Sequence, residues 1–215
     1  GVLIMENSYW LDVVKQSDAF QCYSEHYKYL SIKPLQNFFN IHGFDIFRIE
    51  YNSIQCGSFR AFIKRKENKK IEIDNSVYSA IKNEEEFGLY KKETYEKFLI
   101  KLDNIKTEIN KLLKEITDKG NKIGLFSVAA KTTLMLKYFD ISKYISLSSD
   151  DSEIKHNKFI PGTSIKIVDK DTFKKENFDY ILVGAYNFFD EIVKSHNDCP
   201  QTWIACLPEI KVVRT

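Results

Sequence analysis

The sequence predicts an α/β fold, in which the last strands of one Rossmann-type sheet are followed by a second, smaller Rossmann-like domain. Two observations support this prediction. A short apolar run at 2–5 and two alternating segments at 44–51 and 58–64 are typical of strands. From Lys122 onward, short apolar runs alternate with helical patterns, which is the order of a mostly parallel sheet covered by helices.

The first half of the chain predicts a strand, two helices and an antiparallel pair of strands. The apolar run at 2–5 is continuous, which is typical of a strand buried on both faces of a sheet. A short helix is predicted at 9–14. A second helix is predicted to be capped by Ser31, to carry Pro34 in its first turn and to stop at Gly43. The two alternating segments then follow as antiparallel strands.

The middle of the chain predicts a linker and one long helix. Residues 65–92 are polar and charged, which indicates a linker with a short helix. From Glu93 to Gly120, apolar residues recur at three- and four-residue spacing, which predicts an amphipathic helix. Its apolar face either packs against a neighbouring domain or forms a dimer.

The last part of the chain predicts the strands and helices of the second domain. The predicted strands are at 122–126, 144–147, 165–168, 180–183 and 202–206, with helices between them, notably at 187–194. The predicted division is therefore 1–68 for the end of the first sheet, 69–120 for the linker and long helix, and 121–215 for the Rossmann-like domain.

Composition favours a folded protein and argues against a nucleic-acid partner. The chain has 215 residues, of which 43% are apolar and 14% aromatic, enough for one large packed domain or two small ones. The formal net charge is only +2, whereas a dedicated nucleic-acid binder should carry a basic face or arm. We interpret the lysine-rich stretch at 64–70 as a solvated loop.

Cysteine usage indicates a cytoplasmic protein with reduced thiols. The four cysteines form no C-x-x-C pair and have no histidine at ligand spacing, so neither a metal site nor a disulfide framework is predicted. No apolar run approaches the length of a membrane span, and the first residues lack the basic flank of a signal peptide. No membrane partner is therefore expected.

The segment from Cys22 to Tyr29 concentrates groups that can move a proton. It holds a carboxylate at Glu25, an imidazole at His26 and phenols that include Tyr23. Imidazole titrates near neutral pH, and a neighbouring carboxylate or phenol can orient it. The segment is therefore either a proton-transfer site or the capped and packed start of the following helix.

Five local patterns carry a resemblance to a known family. The first three are Tyr23–Ser31 (for Tyr-His-Glu-His-x-x-Tyr-x-Ser), Cys56–Arg60 (for Gly-Gly-Ser-x-Arg) and Ser127–Thr132 (for Gly-Ala-x-Ala-Lys-Gly). The last two are Asp150-Asp151 with Lys155 and Pro161–Thr163 (for Asp-Asp-x-x-x-Lys through Pro-Gly-Thr), and Ala185–Phe188 (for Ala-Trp-Asn-Phe) with Pro208-Glu209 near the end. In these patterns and their order, the chain resembles the C-terminal half of the sugar-nucleotide C-methyltransferases. Those enzymes of deoxysugar biosynthesis use S-adenosylmethionine (SAM) and carry a class I methyltransferase sheet followed by a second Rossmann-like domain.

The resemblance implies a mechanism and a set of site residues. A base removes the proton beside a keto group of a nucleotide-linked sugar, and the enolate takes the SAM methyl group. His26 is implied as the base, Glu25 as its orienting partner or a contact to the sugar, and Tyr23 as a hydrogen-bond donor to the enolate. The implied substrate-binding residues are Arg60, Lys131, Asp150, Tyr186 and Asn187.

Each implied binding residue has a structural alternative. Lys131 suits a diphosphate near a helix start but is equally a surface lysine. Asp150 suits a ribose or is a loop carboxylate. Tyr186 stacks on a base or fills the core, and Asn187 is either a ligand contact or a helix N-cap.

Departures from the family pattern leave alternative functions open. The glycine-rich SAM loop is missing, as expected if the chain begins at a late strand of the SAM domain, and Ser24, Cys56, Ser127 and Thr132 replace family residues. The chain is then the C-terminal portion of a C-methyltransferase, completed by a separate SAM-binding chain or a homodimer partner. The alternative is a non-catalytic, degenerate module that binds a nucleotide sugar or a protein. A small NAD-dependent reductase is disfavoured because no G-x-G-x-x-G follows Ile123.

Overall fold

A computed structural model describes residues 1–23, 26, 28–52, 57–196 and 200–214. The chain divides into two compact units, of which unit 1 comprises residues 1–19 and 25–99 and unit 2 comprises residues 20–24 and 100–215. Both contain α/β structure, which confirms the predicted fold class. The predicted three-part division stays a prediction.

Unit 1 is a three-stranded antiparallel sheet covered by helices. Its strands are β1 (Leu3–Ser8), β2 (Phe44–Asn52) and β3 (Ser58–Arg65), and its helices are α1 (Trp10–Lys15), α2 (Ile32–Ile41) and α3 (Asn75–Phe87). The strand order is β1-β3-β2, so the predicted antiparallel pair, β2 and β3, is confirmed.

The core of unit 1 follows the alternation of the strands. Phe59, Ala61 and Ile63 of β3 point to one face and are buried, because successive strand side chains alternate between faces. Ile32 and Leu35 of α2 are buried in the same apolar cluster. The opposite face carries the charged residue Arg60.

The predicted burial of the first strand on both faces is wrong. Leu3 and Ile4 are 53% and 56% exposed. In the sheet that the described residues form, β1 pairs only with β3, so it is an edge strand and has one neighbour rather than two. A continuous apolar run therefore does not by itself establish a central strand.

The helix within residues 65–92, α3 (Asn75–Phe87), is longer than the short helix that the sequence predicts. Asp74 caps α3 by accepting a hydrogen bond from the Ser76 backbone N–H at 2.8 Å, and Gly88 ends it with a φ of +78°. The buried positions of α3 are Val77, Ala80 and Glu84. The polar composition predicts a linker rather than the whole of α3 because only a narrow stripe of this helix is buried.

Unit 2 contains most of the long helix and a six-stranded sheet. Helix α4 runs over Lys92–Asp118, which confirms the predicted amphipathic helix. The strands are β4 (Ile123–Phe126), β5 (Leu147–Ser149), β6 (Lys166–Val168), β7 (Tyr180–Val183), β8 (Thr202–Ala205) and β9 (Lys211–Arg214). The remaining helices are α5 (Ala130–Phe139), α6 (Lys170–Lys175) and α7 (Phe189–Ser195).

The sheet of unit 2 has the predicted Rossmann-like arrangement. Its order is β6-β5-β4-β7-β8-β9, with the first five strands parallel and β9 antiparallel at the edge. The strand predicted at 144–147 starts later, at Leu147, because a 3₁₀ turn covers Ser142–Tyr144. Within the part of the chain that the structure describes, no helix is long and apolar enough to cross a bilayer.

Candidate functional site

In unit 1, the end of strand β1 fixes the end of the segment that carries His26. Tyr9 directly follows β1 and forms a parallel bridge with Leu30. The Trp10 backbone N–H donates to the Leu30 carbonyl at 3.0 Å, and the Trp10 and Tyr29 rings lie 5.0 Å apart. The segment therefore reaches helix α2 beside the carboxyl end of β1.

The predicted catalytic residues are only partly within the described chain. His26 is half-buried in unit 1, and Tyr23 is half-buried in unit 2. Glu25 and the departure at Ser24 lie outside the described residues. The roles of His26, Glu25 and Tyr23 stay predictions.

A buried carboxylate that the sequence did not single out organises this end of unit 1. Glu84 is fully buried, and its Oε1 accepts hydrogen bonds from the Tyr9 hydroxyl at 2.9 Å and the Ile32 backbone N–H at 2.5 Å. Its Oε2 accepts from the Lys33 backbone N–H at 3.0 Å and from the Tyr90 hydroxyl. Glu84 thus caps helix α2, where a carboxylate also meets the positive end of the helix dipole.

Glu84 replaces Ser31 as the cap of α2. Ser31 occupies the N-cap position, as predicted, but its side chain makes no capping hydrogen bond, and Glu84 accepts the backbone N–H groups of Ile32 and Lys33 instead. Within the Glu84-Glu85-Glu86 run, the sequence signal for the buried member was its helical spacing. Glu84 follows Val77 and Ala80 by seven and four positions, on the buried stripe of α3.

Burial keeps the phenols around Glu84 protonated. Burial raises the pKa of Tyr9, and the negative charge of Glu84 raises it further. Burial and the hydrogen bond to Glu84 likewise raise the pKa of Tyr90. The Tyr51 ring lies 5.4 Å from the Tyr9 ring, and burial raises the pKa of Tyr51 as well. These hydroxyls are consequently hydrogen-bond donors rather than bases at neutral pH.

Gly57, in one of the family-like motifs, allows a close approach to helix α1. Its φ is +120°, and a Cβ at this position would lie 2.3 Å from Asp12 Oδ2. Its carbonyl accepts the Tyr9 backbone N–H at 3.0 Å. Burial raises the pKa of Asp12. Glycine is therefore required here both by the backbone conformation and by the space that Asp12 fills.

Arg60 lies in a cross-strand ion pair on the exposed face of the sheet. Its Nη2 is 2.6 Å from Glu6 Oε2 on β1, and its Nη1 is 3.7 Å from Glu50 Oε2 on β2. The strand register places the three residues side by side. Its predicted contact with substrate stays a prediction.

In unit 2, a cleft opens at the carboxyl ends of the parallel strands. Its volume is about 380 Å³. The lining residues end β4, follow β4, β5 and β7 or belong to α7, and they are Phe126, Ser127, Ala129, Asp150, Asp151, Lys155, Ala185, Phe188 and Ile192. β4 lies between β5 and β7: the chain runs from β4 outward to β5 and β6 on one side, and then crosses to β7 on the other side of β4. Open α/β sheets bind ligands at such a switch point.

Asp150 reaches the cleft, but its carboxylate is occupied by the protein. Oδ2 accepts the Val128 backbone N–H at 2.7 Å, Oδ1 accepts the Ser152 backbone N–H at 3.0 Å, and Lys155 Nζ lies 3.0 Å from both. Burial alone raises the pKa of Asp150, yet the two N–H donors and the Lys155 ammonium outweigh burial and lower it. Asp150 therefore joins the turn after β4 to the turn after β5.

The turn after β4 contains two of the four departures from the family pattern. Ser127, where the family pattern has glycine, adopts a φ of +68°. Thr132, in place of another glycine, is fully buried, and its hydroxyl accepts the Ala129 backbone N–H at 3.0 Å. A Cβ on Gly184 would lie 2.1 Å from the Ser127 carbonyl oxygen, so the turn also needs a glycine across from it on the chain that leaves β7.

The other predicted binding residues lie beside the start of α5 and before α7. Lys131 Nζ lies 4.7 Å from the centre of the Tyr186 ring, and Tyr186 is 5% exposed. Asn187 Oδ1 is buried and has no hydrogen-bond partner among the described residues. Helix α7 takes Phe188 as its N-cap, so the interpretation of Asn187 as the cap is wrong. The roles of these residues in substrate binding stay predictions.

The described residues offer little for metal or thiol chemistry. Across them, no group of three or more histidine, cysteine, aspartate or glutamate side chains is close enough together to hold a metal ion. Burial raises the pKa of the Cys206 thiol to about 12. Cys206 is therefore a packed thiol rather than a nucleophile.

Comparison with known proteins gives one family and one curated relative. Residues 53–208 match the model of the family described as the C-methyltransferase C-terminal domain. The chain is also similar to C-methyltransferase NovU from Streptomyces niveus, with 22% identity over 217 aligned positions. The alignment covers 99% of this chain and 51% of NovU, so the chain spans about half the length of this relative.

Proposed function

The chain belongs to the C-methyltransferase C-terminal domain family, and from that premise we propose that it binds a nucleotide-linked keto-sugar and removes a proton from it within a SAM-dependent C-methyltransferase. The observation that carries the proposal is the family match over residues 53–208, which covers β4 to β8 and the cleft of unit 2. The similarity to NovU over almost the whole chain supports it.

His26 is the proposed base of this reaction. Its imidazole accepts the proton from the carbon beside the keto group, and the electrons of that C–H bond form the enolate. Glu25 orients the ring or contacts the sugar, and Tyr23 donates a hydrogen bond to the enolate oxygen. The end of β1 supports this arrangement, because Tyr9 and Trp10 bind Leu30 and so fix the chain that follows His26.

The residues of this chain do not fit the usual site of the methyl donor. The eight glycines of the sequence form no glycine-rich loop, since no two of them lie closer than four positions apart. When bound, SAM supplies the electrophilic methyl group. We propose that another part of the enzyme holds it.

The proposed substrate-binding residues are considered separately for each unit. Arg60 lies on unit 1, whereas Lys131, Asp150, Tyr186 and Asn187 lie around the start of α5 and the carboxyl ends of β5 and β7. The N-terminus of α5, which begins at Ala130, supports binding of a phosphate near Lys131, because backbone N–H groups and the helix dipole favour an anion there.

Hydrogen exchange tests the base directly. The chain is incubated in deuterated water with dTDP- and GDP-linked keto-sugars, and deuterium at the carbon beside the keto group is followed by NMR. We expect exchange that is lost in His26→Ala and kept in His42→Ala, a control at an exposed histidine after α2. Exchange that persists in His26→Ala would exclude His26 as the base.

Calorimetric titration separates the proposed function from its alternative. We expect binding of a nucleotide-linked keto-sugar by the chain without SAM. Binding without any exchange would favour the alternative, a non-catalytic module that holds a nucleotide sugar. Absence of binding by all the keto-sugars would contradict the proposal.

A further inference from the structure

The cleft of unit 2 has a charge that does not suit a diphosphate. Lys155 is the only cationic side chain among its described lining residues, and its ammonium already faces three acceptors, the two Asp150 oxygens and the Val128 carbonyl at 2.8 Å. An ammonium has three donor hydrogens, so this one is fully used. The pair that Lys155 forms with Asp150 is neutral, which leaves the cleft negative through Asp151.

Asp151 is the polar group of the cleft that remains available. Each Asp150 oxygen accepts two hydrogen bonds, which fills its lone pairs. Asp151 is exposed at the next position, lines the cleft, and has no hydrogen-bond or ion-pair partner among the described residues. An available carboxylate accepts hydrogen bonds and therefore selects hydroxyl or N–H groups of a ligand.

The remaining wall of the cleft is apolar and partly aromatic. Phe188 is 56% exposed, and Phe126, Ala129, Ala185 and Ile192 also line the cleft. Exposed aromatic faces bind planar rings by stacking. The volume of about 380 Å³ lies within the range of about 300–1,000 Å³ that small-molecule sites occupy.

We propose that this cleft holds the nucleoside end of the sugar nucleotide, with Asp151 accepting hydrogen bonds from the pentose hydroxyls and Phe188 packing against the base. The diphosphate then lies outside the cleft. This inference rests on the proposed function and goes beyond it, because it moves the pentose contact from Asp150 to Asp151. The acidic residue that meets a ribose commonly follows the second strand of such a sheet, and both aspartates do so.

Two pentose hydroxyls bind a carboxylate better than one does. Calorimetry with GDP and 2′-deoxy-GDP, and with UDP and 2′-deoxy-UDP, therefore tests the contact. For the better-bound base, we expect the ribonucleotide to bind about tenfold more tightly than its deoxy counterpart, which corresponds to one hydrogen bond to a charged group. Asp151→Asn should weaken binding of the ribonucleotide by about tenfold and remove most of that difference.

Matched variants separate this site from its surroundings. Glu153→Gln removes a neighbouring exposed carboxylate that does not line the cleft, and should leave both affinities unchanged. Phe188→Ala should weaken binding of the ribonucleotide and of its deoxy counterpart about equally, because stacking on the base does not involve the pentose. Thermal unfolding of each variant shows whether it is folded.

The possible failures of the inference and of the proposed function are distinguishable. If neither GDP nor UDP binds, or if Asp151→Asn binds the ribonucleotide as tightly as the unchanged chain, the inference is overturned. The proposed function still stands in that case if keto-sugar nucleotides bind and exchange their proton through His26. Loss of nucleotide binding in Lys131→Ala but not in Asp151→Asn would place the nucleotide at the start of α5 instead.

Discussion

Glu84 on helix α3 caps helix α2 through a 2.5 Å hydrogen bond from the backbone N–H of Ile32. The two residues are 52 positions apart, so this cap is a tertiary contact. It also joins α2 to Tyr9, which follows β1 and pairs with Leu30. One buried carboxylate thus ties together the end of the first strand and the helix that follows the His26 segment.

Glu84→Gln should destabilise unit 1 strongly. The four groups around the carboxylate all donate hydrogen bonds, so the amide NH₂ of glutamine would face a donor and leave it unsatisfied. We expect a loss of about 2–4 kcal/mol in the free energy of unfolding, measured by urea denaturation. The neighbouring exposed Glu85, which pairs with Lys33, is the control, and Glu85→Gln should cost less than about 1 kcal/mol. Equal effects of the two changes would contradict the capping role.

Asp150→Asn should weaken unit 2 in a pH-dependent way. The pKa of Asp150 is lowered in the folded protein, so its contribution is present above the pKa of the unfolded chain and is lost as the pH falls through the folded value. At neutral pH we expect a loss of about 1–3 kcal/mol in the free energy of unfolding, because the N–H groups of Val128 and Ser152 and the Lys155 ammonium lose a charged acceptor.

The variant Asp151→Asn is the control for the Asp150 experiment. Asp151→Asn removes the same charge from an exposed position and should change the stability by no more than about 0.5 kcal/mol. Denaturation of both variants and the unchanged chain from neutral to strongly acid pH should show the Asp150 difference shrinking as the pH falls. A difference that stays constant over that range would show that its origin is packing rather than charge.

Ser127→Gly should stabilise the turn after β4. A φ of +68° costs an L-residue about 1–2 kcal/mol, whereas glycine adopts it freely. Glycine loses more backbone entropy on folding, so we expect a net gain of about 0.5 kcal/mol in thermal or urea unfolding. Ser152→Gly is the control, because Ser152 has an ordinary φ of −80° and glycine there should destabilise. A loss of stability in Ser127→Gly would show that the serine side chain stabilises the turn.

The sequence predicts the regular elements of this chain better than its polar contacts. The apolar spacing of Leu102, Ile105, Ile109 and Leu113 predicts α4, because periodic burial is a property of neighbouring residues. The capping role of Glu84 depends on Tyr9 and Ile32, which are 75 and 52 residues away, and no local pattern contains that information.

The candidate site of unit 2 also depends on polar contacts that the sequence does not predict. The sequence places Asp150 and Asp151 correctly at the end of β5, where a ligand is expected. It does not show which of the two carboxylates is consumed by Lys155 and the Val128 N–H, because that depends on how two separate turns meet. Exposure and existing partners decide which residue faces a ligand, and both are tertiary properties.

Gly57→Ala should destabilise unit 1 more than an equivalent change at another glycine with positive φ. At Gly57, alanine meets two penalties, a φ of +120° and a Cβ 2.3 Å from Asp12 Oδ2. At Gly43, with a φ of +78° and nothing within 4 Å of the new Cβ, only the backbone penalty applies. We therefore expect a loss of about 1 kcal/mol for Gly43→Ala and at least about 2 kcal/mol for Gly57→Ala in urea unfolding.

The steric part of the Gly57 effect can be isolated with Asp12→Ala. That change shortens the side chain which the new Cβ would meet, so Gly57→Ala should cost less in the Asp12→Ala background than in the unchanged chain. No rescue would be possible at Gly43, because no side chain lies near it. If the two glycine substitutions cost the same, or if Asp12→Ala leaves the cost at Gly57 unchanged, then the close approach of α1 is not what requires glycine in this motif.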